Sequence, residues 1–465
     1  IEGLLARPVV AYVQSSSGRM IEAIPQRTRA ARAGWMRVSA HSELGAAAAA
    51  GPLNIKFEPM RFKQQAMHRA LNSRQCERFV DPEGHHTGSF DYDVEKMSPA
   101  LERLKMNPGQ RCSILSALQM TAKEPLVIWG PPGSGKSTLC IYIVLELLKL
   151  SPTNTLLLTA PSNAAADLLA SKLVKLKKDF LPHLEREMLR LNAKGRSWDE
   201  LPEELQPFTR TTKGEDGRTL FAVPPLENLK QFRVVVSTCV CAEHINKAVQ
   251  RDGGSGWFSH IIVDEAGEAT EPETLIPLSL ADPNRGKSIL LGDHYQLGPL
   301  VTTQTAKRLS QLDRSLLERL ATSRNAAARR EGEGGAAGVD AGGDTVHGAA
   351  EQGREPHHRL EKKGLFFLID SYRSHPDLMS IYSKLFYSDQ LEHQPRNVQM
   401  SLVPWFEARG LRSPFLAHNI VGKESRDMTS HSLYNLQEVR VIIGYVRELL
   451  EDSTTGLSGS DVGII

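Results

Sequence analysis

Cysteine is scarce in this chain, with five among 465 residues: Cys76, Cys112, Cys140, Cys239 and Cys241. No two of them form a C-x-x-C pair, so neither a zinc site nor a disulfide framework is signalled. Reduced thiols in an intracellular protein are the expectation. No stretch approaches the ~18 consecutive apolar residues of a membrane-spanning helix, and none reads as a secretory leader, so no membrane partner is expected. An excess of charge of one sign is missing too: 56 Lys and Arg stand against 54 Asp and Glu, a formal net charge of +2. That balance leaves nucleic-acid binding open, because a groove can be locally basic on a near-neutral protein. Residues 323–358 have almost no large apolar side chain and are rich in Gly, Ala and charge. Such sequence buries too little surface to offset its chain entropy, and disorder is expected there.

What the chain has is alternation. From Leu126 onward, short continuously apolar runs alternate with helical stretches, at Leu126–Trp129, 155–159, 233–237, His260–Val263 and 288–291. Runs of that kind, bounded by turn residues, suit a parallel sheet covered on both faces. Residues 177–232 break the rhythm with charged, helix-forming sequence and read as an inserted subdomain. Upstream, 9–13 and 53–57 read as strands, the Ala-rich 45–51 as a linker or surface loop, and Arg27, Arg29, Arg32 and Arg37 as a basic cluster on a solvated loop. A second α/β segment begins at Gly364 with a strand at 365–369 and runs to the end, where 462–465 starts another strand. The chain opens on Ile1 and stops at Ile465 inside that expected strand, so both ends read as cuts in a longer protein.

Three segments carry chemistry. The first is the strand Leu126–Trp129 running into Gly130, Pro131, Pro132, Gly133, Ser134, Gly135, Lys136, Ser137 and Thr138, with an apolar run of helical length behind it. Strand, GxxxxGK[ST] and helix together make a P-loop. The glycines let backbone N–H groups line a phosphate, and the helix start adds its positive end. Lys136 reaches the β- and γ-phosphates of such a ligand, and the Ser137 hydroxyl holds Mg²⁺. The second segment is HIIVDEAGEAT, 260–270, where an apolar strand delivers Asp264 and Glu265 at its C-terminal end. Opposite a P-loop, Asp264 holds Mg²⁺ through water and Glu265 polarises the attacking water. The third is SILLGDHYQLGPL, 288–300, with Gln296 in the loop after a strand, an amide suited to sensing a γ-phosphate.

GPPGSGKST (130–138), APSNAAADLL (160–169), DEAGEA (264–269), GDHYQLGPL (292–300) and SYRSHP (371–376) occur in that order. Together they resemble the motifs of superfamily 1B, helicases with two RecA-like domains. FKQQAMHRAL (62–71), 371–391 and 418–439 resemble the Armitage-like branch, which includes the Moloney leukaemia virus 10-type RNA helicases and their plant gene-silencing relatives. The likeness covers roughly 50–465 apart from the insert.

The resemblance implies an α/β fold with the following organisation: a β-rich, barrel-like accessory region and stalk at 1–105, a RecA-like domain at 106–322 with its insertion at 177–232, a disordered insert at 323–358, and at 359–465 the truncated start of a second RecA-like domain. It implies ATP and Mg²⁺ as cofactors, Gln110 in MNPGQ reading the adenine edge, and Tyr372 packing on the adenine ring. For Tyr372, plain core packing remains an alternative. Arg373 is implied to cross the domain cleft to the γ-phosphate. Pro161, Ser162, Asn163 and Thr238 are implied to meet single-stranded RNA, whereas Lys172, Lys175, Lys177 and Lys178 read as a solvated helix face. It further implies 5′-to-3′ movement, a role in RNA-mediated silencing beside small-RNA silencing proteins, and a cytoplasmic place, including ribonucleoprotein granules. The P-loop departs from the family in carrying Ser134 where Thr is usual. The last two helicase motifs are absent, among them a second arginine for the γ-phosphate, and arginine fingers are worth ~10³ to 10⁵ in rate. The chain alone is therefore expected to be inactive. An RNA-stimulated ATPase that remodels RNA–protein complexes without unwinding, and a non-enzymatic RNA-binding fragment, stay open as alternatives.

Overall fold

The computed structural model describes residues 9–14, 20–26, 37–39, 54–59, 61–79, 106–120, 125–180, 187–214, 217–301, 303–324, 364–394, 403–411, 415–426 and 433–464. Four strands come first: β1 (Val9–Gln14), β2 (Met20–Gln26), β3 (Arg37–Ser39) and β4 (Asn54–Pro59). They form an antiparallel sheet in the order β3-β2-β1-β4, with Ala11 paired to both Ala23 and Phe57. Helix α1 (Phe62–Leu71) follows, and then α2 (Pro108–Gln119), whose start is set by a capping box between Asn107 and Gln110 with a proline in the first turn.

The body of the molecule runs β5 (Leu126–Trp129), α3 (Lys136–Leu150), β6 (Leu156–Ala160), α4 (Asn163–Phe180), β7 (Met188–Arg190), a β8–β9 hairpin (Thr211–Lys213 and Thr219–Phe221), β10 (Val234–Thr238), α5 (Glu243–Arg251), β11 (His260–Val263), α6 (Glu271–Leu278), β12 (Lys287–Gly292), helix α7 at 316–324 and β13 (Leu365–Phe367). Seven of these strands form one wholly parallel sheet in the order β13-β5-β12-β11-β6-β10-β7. Alternate residues of each strand face opposite layers. Leu126, Ile128, Leu158, Val236 and Ile262 pack with α2, α3 and α4, while Val127, Leu157, Val235 and Ile261 pack with α1, α6 and α7. Because both faces are covered, apolar residues dominate the strands, which is why the sequence shows nearly continuous runs. Each such side chain contributes about 1.5–3 kcal/mol by leaving water.

All seven strands point the same way, so the loops after β5, β6, β10, β11, β12 and β13 leave one edge of the sheet. That edge is where ligands bind in open α/β folds. Residues 61–79 are strapped to the same body: Lys63 pairs with Glu273 at 2.5 Å, Arg69 pairs with Glu243, and Arg319 joins Glu271 to the Phe79 carbonyl.

The organisation differs from the sequence reading in four places. The expected second-domain strand at 365–369 is β13, shorter and added to the free edge of β5, with Val127 N–H donating to Gly364 O at 2.9 Å and Leu368 N–H to Trp129 O at 2.8 Å. The first sheet therefore extends past 359. Ser323 and Arg324 belong to α7 rather than to the insert, and buried Arg324 donates to Gly364 O at 2.8 Å, just before β13. The supposed insertion begins too early. Residues 177–180 complete α4 and 188–190 supply the edge strand β7, which pairs with β10. Finally, residues 462–464 form no strand; a short 3-10 turn, Gly459–Asp461, precedes them and Ile464 stays 64% exposed. The 45–51 linker and residues 325–358 of the expected insert lie outside the described residues.

After β13 come β14 (Asp370–Ser371), α8 (Pro376–Phe386), β15 (Glu392–His393), a β16–β17 pair (Glu424–Arg426 and Leu433–Asn435) and α9 (Leu436–Glu451). Among the described residues here no strand joins a sheet of more than two, and α9 has no buried residue.

Candidate nucleotide and nucleic-acid site

The P-loop is shaped by close backbone approach. Gly133 and Gly135 hold φ of 80° and 84°, the left-handed region that favours glycine. A Cβ on Gly133 would also sit 2.5 Å from the Arg373 Cβ, so the loop and the segment after β13 touch there. Tyr372 N–H donates to Gly133 O at 3.0 Å and Ser371 Oγ to Pro132 O at 3.2 Å, tying the same two segments. Ser134 Oγ donates to Pro131 O at 2.9 Å, so serine suffices at that position. Thr138 is exposed in the first turn of α3.

Lys136 is buried, and its ammonium donates to Gly130 O at 2.7 Å and Pro131 O at 3.2 Å. Burial lowers its pKa, against the opposing pull of Glu265, Asp293 and Asp264, while Arg373 adds to the lowering. Asp264 lies at the end of β11, 2% exposed. Burial, and then the neighbouring Glu265, raise its pKa to about 6; the Ser137 hydroxyl bonds to it and Lys136 attracts it. Its Oδ1 is a buried oxygen with no hydrogen-bond partner. Glu265 turns out of the strand with φ of 51°, left-handed for a residue with a Cβ. An unpartnered buried carboxylate oxygen beside a serine hydroxyl, next to a glycine cradle and a buried lysine, fits a hydrated divalent cation riding on a polyphosphate. Among the described residues no group of three or more His, Cys, Asp and Glu is placed to hold a metal ion.

Gln296 is exposed in the loop after β12, and its Nε2 donates to Asp293 Oδ2 at 2.7 Å. Sequence reasoning passed over Asp293, which is buried and accepts also from Trp129 Nε1 (3.0 Å), Tyr295 N–H (3.1 Å) and Tyr387 OH (2.6 Å). Its place one residue past the strand in GDHYQLGPL was the available signal. Tyr387 carries none. Gln110 is 8% exposed; its Oε1 accepts from Asn107 N–H and its Nε2 donates to Ser134 O at 2.9 Å. Asn107 Nδ2 in turn donates to the Tyr372 hydroxyl at 3.0 Å, so Gln110, Tyr372 and the P-loop form one network. Arg373 is exposed beside it.

The four residues singled out for nucleic acid sit at the ends of neighbouring strands β6 and β10. Pro161 leads into α4; Ser162 Oγ accepts from Ala165 N–H at 3.1 Å, and Thr238 Oγ1 accepts from Cys241 N–H at 3.1 Å. Each hydroxyl serves as a cap through its oxygen, which leaves its O–H as a donor. Exposed Asn163 accepts on Oδ1 from Arg190 Nη2 at 3.3 Å.

Residues 105–219 and 225–304 match one protein-family model and 354–465 match a second, both described as AAA domain. RNA helicase Mov10l1 of Mus musculus is 32% identical over 80% of this chain and 28% of its own length. The mov-10-B.1 protein of Danio rerio is 30% identical over 89% of this chain and 38% of its own. The armi protein of Drosophila melanogaster is 28% identical over 77% of this chain and 30% of its own. The chain thus spans 28% to 38% of the length of these three relatives.

Proposed function

The chain belongs to the superfamily 1 helicases of the Mov10 and Armitage type, and from that premise we propose that it couples ATP hydrolysis to 5′-to-3′ movement along single-stranded RNA. One observation supports the reading: buried Asp264 keeps an unpartnered oxygen at the same sheet edge as the glycine-cradled loop of Lys136, onto which the segment after β13 is tied by Tyr372 N–H donating to Gly133 O at 3.0 Å.

In this reading the P-loop N–H groups and Lys136 bind the β- and γ-phosphates, while Ser137 and Asp264 hold Mg²⁺. Held there, Mg²⁺ would supply positive charge against the phosphate oxygens. Glu265 orients and polarises water, Gln296 leaves Asp293 to sense the γ-phosphate, and Arg373 stabilises charge in the transition state. Gln110 uses one N–H and one lone pair on the loop, keeping one of each, which is the pair an adenine edge requires. Tyr372, tied to Gly133, flanks the base. Pro161, Ser162, Asn163 and Thr238 grip the backbone one strand over, so nucleotide and nucleic acid act on one sheet edge. The similarity to Mov10l1, an RNA helicase, supports RNA over DNA. The family resemblance extends the proposal to cytoplasmic RNA silencing and small-RNA silencing proteins as partners. Among the described residues no helix is long and apolar enough to cross a membrane.

Glu265→Gln tests the reading. It is expected to keep nucleotide binding and lower RNA-stimulated phosphate release by about 10² to 10⁴. Equal loss of binding and hydrolysis would make Glu265 structural.

A further inference from the structure

Beneath the nucleic-acid edge lies a cluster of charged side chains that neither the sequence motifs nor the ATP chemistry uses. Arg190, the last residue of β7, has a fully buried side chain. It donates through Nε to Asp167 Oδ1 at 2.8 Å, through Nη1 to Leu191 O at 2.7 Å, and through Nη2 to Asn163 Oδ1 at 3.3 Å. Arg196, 4% exposed, grips the same carboxylate from the other side, with Nη2 2.5 Å from Asp167 Oδ2, and also donates to Asn192 Oδ1 at 2.8 Å. Asn163 and Asp167 are one helical turn apart on α4, so they present to Arg190 together.

Two features of this cluster bear on nucleic acid. First, two guanidinium groups share one buried carboxylate, and the acid paired with Arg196 besides it, Glu200, lies 3.9 Å from Arg196 Nε with its side chain 66% exposed. An exposed partner compensates little, so the edge retains positive charge below the first turn of α4. Second, a guanidinium offers donors only. Whatever faces Arg190 must be the oxygen of the Asn163 carboxamide, and the NH₂ is left on the exposed side.

We propose that Arg190 is a positioning residue for nucleic-acid binding: with Asp167 and Arg196 it fixes the Asn163 carboxamide so that its NH₂ donates to a single-stranded backbone. This rests on the nucleic-acid function proposed above. A buried ion cluster is a weak source of stability, since apolar residues of like volume serve as well. What apolar residues cannot do is hold an exposed amide in one orientation. The preset donor spares the ordering cost that a free asparagine meets on binding.

The test measures anisotropy of a fluorescein-labelled oligouridylate with the full chain, alongside thermal melts. Asn163→Asp keeps an oxygen for Arg190, supplies the second anion and removes the outward donor. It is expected to melt at the same or a higher temperature, yet bind about tenfold more weakly. Asn163→Ala removes the donor without adding charge and is expected to lose a similar factor. Arg190→Gln is expected to weaken binding severalfold alone and to add no loss in the Asn163→Ala background, while lowering the melting temperature in both. Losses that simply add, or an Asn163→Asp protein that binds like the unaltered chain, would overturn the inference. If Arg190→Gln does not fold, the two Asn163 variants decide by themselves. An unaltered chain that fails to bind oligouridylate overturns both the inference and the function it rests on.

Discussion

The loops after β5, β11 and β12 and those after β6, β7 and β10 leave one edge of one sheet, yet their polar groups are in opposite condition. On the nucleotide half, Asp264 is buried with an unpartnered oxygen, Lys136 is folded back on its own loop carbonyls, and Glu265 sits at positive φ. Such backbone costs on the order of 1–3 kcal/mol. On the nucleic-acid half, Asp167 accepts from two arginines, Arg190 bonds to three partners, and Ser162 and Thr238 each cap the turn that follows. The nucleotide half thus holds desolvation and strain that an incoming Mg-nucleotide relieves, whereas on the nucleic-acid half the buried Asp167 carboxylate is paired before any ligand arrives. Removing charge should therefore stabilise one half and destabilise the other.

The largest effect is expected at Asp167. Asp167→Asn leaves two buried guanidinium groups without an anion, and breaking a buried pair from one side costs about 3–5 kcal/mol. The urea midpoint should fall sharply with the slope of the transition unchanged. An unchanged midpoint would erase the distinction between the halves.

Asp264→Asn should move the other way. The folded carboxyl titrates near 6 against a usual value of 3.8. A raised carboxyl pKa means that the stability this group contributes is fully present below about pH 4 and is lost as pH rises through about 6. Asparagine does not titrate, so the ligand-free variant should match the unaltered protein near pH 4 and exceed it by about 1–3 kcal/mol above pH 7. Stabilisation by Mg²⁺ with a non-hydrolysable ATP analogue should be lost in the same variant. Denaturant melts at both pH values, with and without the analogue, check both signs; a variant less stable than the parent at pH 7.5 would contradict the comparison.

The two halves also differ in how far their residues could be read in advance. Leu126–Trp129 and His260–Val263 were legible to the residue, because a strand covered on both faces has no choice but a continuous apolar run between turns. Lys136 was placed at the helix start after its strand, Asp264 and Glu265 at a strand end and Gln296 in the loop after a strand, their motifs being local in sequence. The Arg190 cluster was not legible. An arginine inside a run MLRL and an aspartate in a helix carry no mark of each other, and their pairing depends on β7 lying beside β10. The same holds for Asp293 with Tyr387, 94 residues away, and for the strand at 365–367, whose apolar LFF does not say which sheet it completes. Helix α9 is a further case. Its amphipathic pattern marks a helix, yet Val439 and Ile443 remain 40% and 46% exposed, so a pattern alone does not name what a face packs against.

The smallest effect separates capping from contact on the nucleic-acid half. Ser162 Oγ accepts from Ala165 N–H, satisfying one of the donors that open α4, and its O–H remains to meet a phosphate. Replacing an N-terminal cap by Ala costs about 1 kcal/mol, but by Gly only a few tenths, because glycine adopts the cap backbone readily and lets water reach the N–H group. Ser162→Ala should therefore lower the melting temperature and Ser162→Gly hardly at all, while both lose the hydroxyl and weaken oligouridylate binding by the same few-fold factor. Melts and anisotropy on the two variants separate the roles. If affinity follows stability, falling for Ala and not for Gly, then Ser162 acts only as a cap, and contact on this edge would rest on its neighbours Pro161, Asn163 and Thr238.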